Sequence, residues 1–261
     1  MARLKPLRTD IAWSTTDKIT IKGLDLCQDI LGKVSLGDMA FLGMTDRLPT
    51  ERESLMFNAI AVCLVEHGLT PSALVTRLTL AGAPEAMQAA VGAGLCGLGS
   101  VFVGSMEDAA RLLQQGLPKS DVEAESSPDI TALAREIVAR EIAAGRSLPG
   151  IGHHIHKPQD PRAPALFKLA RDNGFDGPYV ALMQAIADEA GRQLGKSLPV
   201  NATGAIAAVA CEMGLPWDIV RGIGVLARAV GLVAHVLEER RNPIAREMKT
   251  MIEEQATAHF R

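Results

Sequence analysis

Residues 148–162 read Leu148-Pro149-Gly150-Ile151-Gly152-His153-His154-Ile155-His156-Lys157-Pro158-Gln159-Asp160-Pro161-Arg162. Gly150 and Gly152 let the backbone turn tightly and come close to a ligand. Pro149, Pro158 and Pro161 break helices and stiffen the segment. His153 follows Gly-Ile-Gly, so a fixed loop presents its imidazole. Arg162 offers a planar fork that matches a carboxylate. A guanidinium and a histidine on one rigid loop point to a carboxylated substrate with a polarisable carbonyl. Zinc is a rival reading, because His153, His154, His156 and Asp160 are ligand types. Adjacent histidines rarely face one ion, however, and no cysteine or glutamate stands nearby, so no metal is expected. His154 and His156 then read as loop surface or substrate-shaping residues.

Outward from this loop the chain reads as helices. Of its 261 residues 48% are hydrophobic but only 3% aromatic, so the core is aliphatic. The net charge of -3 comes without a basic stripe, which argues against a nucleic-acid surface. No leader-like apolar segment follows the basic start and no uncharged run of about 18 apolar residues appears. A cytoplasmic protein without membrane attachment is expected. Cys27, Cys63, Cys96 and Cys211 lack metal or redox spacing and read as buried free thiols.

Residues 11–22 read as a short extended lead-in, followed by short helices over 24–31 and 36–44. Thr50 and Glu53 form a capping-box pattern for a helix that His67-Gly68 ends. Further helices are expected from Pro71, from Pro84 to Leu98, and over 106–115, 131–144, 164–172 and 179–195. The remaining ones lead up to Met213, span 218–237 and lie on the surface in the tail. Gly116–Asp129 reads as an exposed linker. The alanines and glycines of 89–97 permit close helix packing, within the chain or between subunits. Arg228 sits on an otherwise apolar helix and must be paired if buried.

Gly150-Ile-Gly-His-x-Ile-x-Lys-x-x-Asp-Pro-Arg162 resembles a segment of the citrate synthase superfamily. Four more segments resemble it in order. They are Ile19–Leu26 with Arg47-Leu-Pro-Thr50, then Glu66-His67-Gly68, Gly99–Ala110 and Leu226–Arg241. That superfamily includes citrate synthases, methylcitrate synthases, citryl-CoA lyases and the C-terminal part of ATP-citrate lyase. The resemblance is closest to the lyases. It implies an all-α fold with a large domain (1–105 and 216–261), a smaller inserted one (106–215) and a site in the cleft between them. It also implies a homodimer with a shared site, and a CoA thioester as substrate with no tightly bound cofactor.

By the same resemblance His67 and His153 are catalytic, and Arg162, Arg228 and Arg246 clamp substrate carboxylates. Gly150, Gly152 and Lys157 fall to the CoA thioester. For His67 a helix-capping role stays open, for His153 a solvated loop, and for Arg228 a structural ion pair. Two positions depart from the synthase pattern. Val103 replaces a histidine that stabilises the enol, and Thr203 stands at the catalytic aspartate's place, where threonine can at most donate a hydrogen bond or hold a water. The expected activity is cleavage or formation of a carbon–carbon bond in a citryl-CoA-like thioester. A diverged activity on another acyl-CoA, or a non-catalytic dimer binding CoA or a carboxylate, remains the alternative.

Overall fold

The computed structural model describes residues 7–101, 103–122, 128–152 and 159–261. The expectations placed on His153, His154, His156 and Lys157 therefore lie outside the described residues. The chain divides into two compact units, residues 1–59 and 60–261.

The first unit opens with a three-stranded antiparallel sheet, β1 (Ala12–Ser14), β2 (Ile19–Ile21) and β3 (Leu24–Asp25). Lys22 and Gly23 both take positive φ, the geometry of a two-residue hairpin whose twist matches its strands. This corrects the helix expected from Leu24. The chain pairs as a strand there, and only Leu26–Ile30 coils, as one wide π-helical turn capped by the Asp25 carboxylate. Helix α1 (Leu36–Thr45) starts on the Ser35 side chain and ends at Asp46 in the left-handed region. Helix α2 (Glu51–Val65) begins in this unit and ends in the second. Its capping box forms as expected: Glu53 N donates to Thr50 Oγ1 at 3.3 Å, and Thr50 N donates to the Glu53 carboxylate at 2.8 Å.

In the second unit, helices α3 (Pro71–Gly82) and α4 (Met87–Cys96) pack on each other and on the 25-residue α11 (Trp217–Arg241). Gly94 lies against Thr76 and the Ser72 carbonyl, so this glycine serves packing inside the chain, while a Cβ on Gly92 would meet nothing within 4 Å. Helix α5 (Gly104–Gly116) touches both α11 and α10 (Ala202–Glu212). Helix α10 is buried along almost its whole length, beneath α5, α8 (Arg162–Asp172) and α9 (Pro178–Leu194). A short α6 (Lys119–Val122) interrupts the expected linker, and α7 (Ile130–Ala143) packs on α9. Helix α12 (Ala245–Ala256) rests on α3. By length and composition α11 is apolar enough to cross a membrane, but half of that stretch is buried inside the protein, as in a core helix.

The expectation for the cysteines needs correction. Only Cys211 is buried; Cys63 is half-buried and Cys27 and Cys96 are exposed. Cys96 ends α4 on its outer side, where a small apolar residue carries little solvation cost.

Candidate active site

Residues 150–152, at the described start of the loop quoted first, are fastened to the start of α10. Ile151 pairs with Val200 as an antiparallel bridge, Gly152 N donates to Pro199 O at 2.7 Å, and Asn201 N donates to Gly150 O at 3.0 Å. Gly150 and Gly152 have φ of 86° and 70°, which favour glycine. A Cβ on Gly150 would stand 2.7 Å from Gly204 Cα. The close approach made here is thus to the backbone of α10, and neither glycine lines the cavity described below.

Asp160 and Arg162 form a fixed pair. The buried Asp160 carboxylate accepts from Arg162 Nε at 3.0 Å and from its terminal nitrogen at 2.9 Å. It also accepts the backbone N–H groups of Arg162 and of Ala202 at the N-terminus of α10. Burial alone would push its pKa up. The guanidinium and the two N–H donors outweigh burial and hold it at about 2. Both Asp160 oxygens are therefore committed to positioning Arg162 and α10.

Asn201 caps α10 and settles the state of Thr203. Its amide nitrogen donates to Gly152 O at 2.6 Å, so its oxygen is the atom that accepts Gly204 N–H at 3.1 Å. Thr203 Oγ1 lies 2.8 Å from the same oxygen, which carries no hydrogen, so the threonine must donate. Its proton is spent on Asn201, and only lone pairs remain to face a ligand.

Arg228 projects from α11 and is 6% exposed. It donates to Val65 O at 2.8 Å and to Thr70 Oγ1 at 3.4 Å, and lies 3.5 Å from the Glu66 carboxylate. The guanidinium thus closes the C-terminal end of α2 and stays beside the turn that carries His67. Gly231, one turn further along α11, gives the Val65 carbonyl room to approach. His67 itself is exposed, its N–H donates to Glu66 Oε1 at 2.8 Å, and Gly68 follows with φ of 76°.

These elements enclose a cavity of about 390 Å³ lined by His67, Arg162, Thr203 and Arg228 together. Cys63, Glu66, Thr70, Leu98, Val103 and Met106 complete much of its wall. Four residues that the sequence singled out, from the end of α2 and from α8, α10 and α11, thus meet in one place. Larger clefts of about 560 and 630 Å³ border α5, and none of the candidate residues among the described ones lines them. Arg246 is exposed on α12 and is not part of the cavity wall. Val103 is buried against Gly224 of α11 and gives the wall an apolar patch that offers no hydrogen bond.

Sequence reasoning missed Cys63, Glu66 and the structural part of Asp160. Burial pushes the Cys63 thiol up, Arg162 draws it down and Asp160 raises it, with a net rise. A cysteine in an apolar helix carries no local sign of this setting. Glu66 did carry one, since it directly precedes His67.

The cavity offers two guanidinium groups, a histidine and an acceptor-only hydroxyl beside an apolar wall. That suits an anionic, oxygen-rich substrate with an apolar reacting arm. The family profile described as "Citrate synthase, C-terminal domain" matches residues 24–248. A citrate synthase of Haloferax volcanii is 30% identical over 201 residues, 73% of this chain and 48% of that protein. The chain spans about half the length of the curated relatives first matched. The solved structure of citryl-CoA lyase from Hydrogenobacter thermophilus superposes with a TM-score of 0.79 at 36% identity, over 90% of this chain and 87% of that one. ATP citrate lyase from Methanothrix soehngenii, solved with citrate and coenzyme A, shares the fold with a TM-score of 0.73 at 22% identity, over 92% of this chain and 40% of that one. With the family profile matched over most of its length, this chain belongs to the citrate synthase family.

Proposed function

We propose that the protein is a citryl-CoA lyase-like enzyme. It would cleave the bond between the hydroxyl-bearing and methylene carbons of a 3-hydroxy-3-carboxy acyl-CoA thioester, releasing acetyl-CoA and a 2-oxo acid. The observation that carries this reading is the meeting of Arg162, Arg228, His67 and Thr203 on one cavity. The 36% identity with a citryl-CoA lyase across nearly the whole of both chains supports the choice among family activities.

In this reading Arg162 and Arg228 hold the substrate carboxylates. Arg162 is prealigned by Asp160 and Arg228 by Val65 O and Thr70, so little reorganisation accompanies binding. His67 faces the hydroxyl that becomes the new carbonyl. His153, assigned by resemblance, would share that task. Thr203 accepts a hydrogen bond from a water or a substrate hydroxyl. Gly150, Gly152 and Lys157 remain the proposed contacts to CoA, and no separate cofactor is needed.

The division into domains 1–105 with 216–261 and 106–215, with closure of the cleft between them, belongs to the same proposal. So does a cytoplasmic homodimer in which Arg246 completes the partner's site. Exposed apolar side chains on α3 (Val75, Leu78) and α11 (Val230, Val233, Leu237) support a subunit contact. A non-catalytic binder is the second reading, favoured by Val103 and Thr203 at two positions where synthases carry acid–base groups. Incubation with citryl-CoA decides between them. Release of acetyl-CoA and oxaloacetate supports the enzyme, and thermal stabilisation by citrate or CoA without turnover supports the binder.

A further inference from the structure

Cleavage of a citryl thioester moves one proton. It leaves the hydroxyl oxygen as the carbonyl forms, and one must reach the carbon that becomes the acetyl methyl. Thr203 cannot move it, because its own proton is held by Asn201 and a hydroxyl is too weak an acid. Cys63 is kept protonated by burial and offers no base. Glu66 supplies the one carboxylate among the described residues of the cavity wall.

That carboxylate is held from three sides. Oε1 accepts His67 N–H at 2.8 Å, while Oε2 lies 3.5 Å from Arg228 and 3.2 Å from His235 Nε2. His235 is 7% exposed, and its Nδ1 accepts from Arg77 Nε at 3.1 Å, so its ring proton sits on Nε2. Nε2 stands 3.2 Å from Glu66 Oε2 and completes no hydrogen bond of standard geometry among the described residues. Arg77, 2% exposed, is anchored in turn by Glu238 and Glu239. A buried imidazole thus stands behind a half-exposed carboxylate at the cavity.

We propose that Glu66 is the proton carrier of this site, an inference that rests on the lyase reading above. Its carboxylate takes the hydroxyl proton as the carbon–carbon bond breaks. The O–H electron pair becomes the second bond of the carbonyl, and the carbon–carbon pair becomes the thioester enolate. Glu66 then returns the proton to the enolate carbon, giving the acetyl methyl and regenerating the carboxylate. No other reactant is consumed. Burial pushes Glu66 up, but His67 N–H, His235 and Arg228 outweigh it and keep the group ionised near neutrality, the state that accepts a proton. A substrate carboxylate pairing with Arg228 would remove part of that restraint and make Glu66 more basic when the substrate is present.

The test compares the wild-type chain with Glu66→Gln and Glu66→Asp, reading citryl-CoA cleavage, citrate binding and melting. The amide still accepts His67 N–H, so Glu66→Gln should bind citrate at least as well while kcat falls by about 10²–10⁴-fold. Glu66→Asp keeps a carboxylate and should recover at least tenfold over Glu66→Gln. Turnover of Glu66→Gln within about threefold of wild type overturns the proposal. So does a joint loss of turnover and citrate binding in a folded protein, which would make Glu66 a support for Arg228. If Glu66→Gln fails to fold, Glu66→Asp decides: wild-type turnover at reduced citrate affinity overturns the proposal, and slowed turnover at kept affinity supports it. A wild type that does not cleave citryl-CoA is instead the failure of the functional reading itself.

Discussion

Replacing Asp160 by asparagine should weaken both the fold and the carboxylate site. The folded protein holds Asp160 at about 2, against an ordinary value of 3.8. The difference corresponds to about 2 kcal/mol of stability at neutral pH. Its side chain has no exposure, while that of Arg162 is 27% exposed. The substitution therefore leaves a partly solvated guanidinium without its counter-charge, rather than two buried charges. The amide can still accept Ala202 N–H, so the cost should be about 2–4 kcal/mol. That lowers Tm on the order of 5–15 °C for a protein of this size. Arg162 also loses its alignment, so citrate affinity should fall about tenfold. Thermal melting with and without citrate measures both effects. A variant with wild-type Tm and wild-type citrate affinity would show that Asp160 neither stabilises the fold nor aligns Arg162.

Arg162→Ala and Arg228→Ala should each lose about 2–5 kcal/mol in transition-state binding, read as kcat/KM. Arg228→Ala should also lower the melting temperature, because Val65 O and Glu66 lose their partner. Thr203→Asp should melt lower than wild type, since its carboxylate would face the Asn201 oxygen that now accepts the threonine proton. Acid should destabilise the protein between about pH 4.5 and 2. Asp160 and Glu53 are both lowered to about 2, so their stabilisation is complete above their ordinary values and is lost as pH falls through the folded ones. Urea titrations at pH 6 and pH 3 check this, with the lower midpoint expected at pH 3. Iodoacetamide should label the exposed Cys27 and Cys96 before Cys63, and citrate should slow only Cys63, as mass spectrometry can resolve.

Local signals were the legible ones. The Thr50–Glu53 capping box, Pro71 at a helix start and Gly68 after α2 each declare a boundary within four residues. Pro164 misled by two residues, because a helix tolerates proline in its first turn and α8 begins at Arg162. Pro84 misled by three, since the chain turns once more before α4 starts at Met87. The Lys22-Gly23 hairpin was visible as a glycine signal but lay among too few residues to read as a sheet.

Of the residues that meet on the cavity, Arg162, Arg228, His67 and Thr203 were singled out through segments that resemble the family. What supports them was not legible. Asp160 meets Ala202 across 42 positions, and His235 reaches Glu66 from another helix. Such pairings exist only once α2, α8, α10 and α11 are packed. The single composition cue, a charged Arg228 in an apolar helix, did announce a charge that is paired where it is buried. The partners turned out to be a helix-end carbonyl and a half-exposed carboxylate.

On the lyase reading, the cavity between α2, α8, α10 and α11 is the carboxylate site for a citrate-type thioester. A crystal structure of the protein with citrate and CoA tests it most directly. Citrate should lie in that cavity, with its carboxylates within about 3.2 Å of Arg162 and Arg228 nitrogens and its hydroxyl beside His67 and Glu66. Citrate bound elsewhere, with both arginines still turned only to Asp160, Val65 O and Thr70, would contradict it.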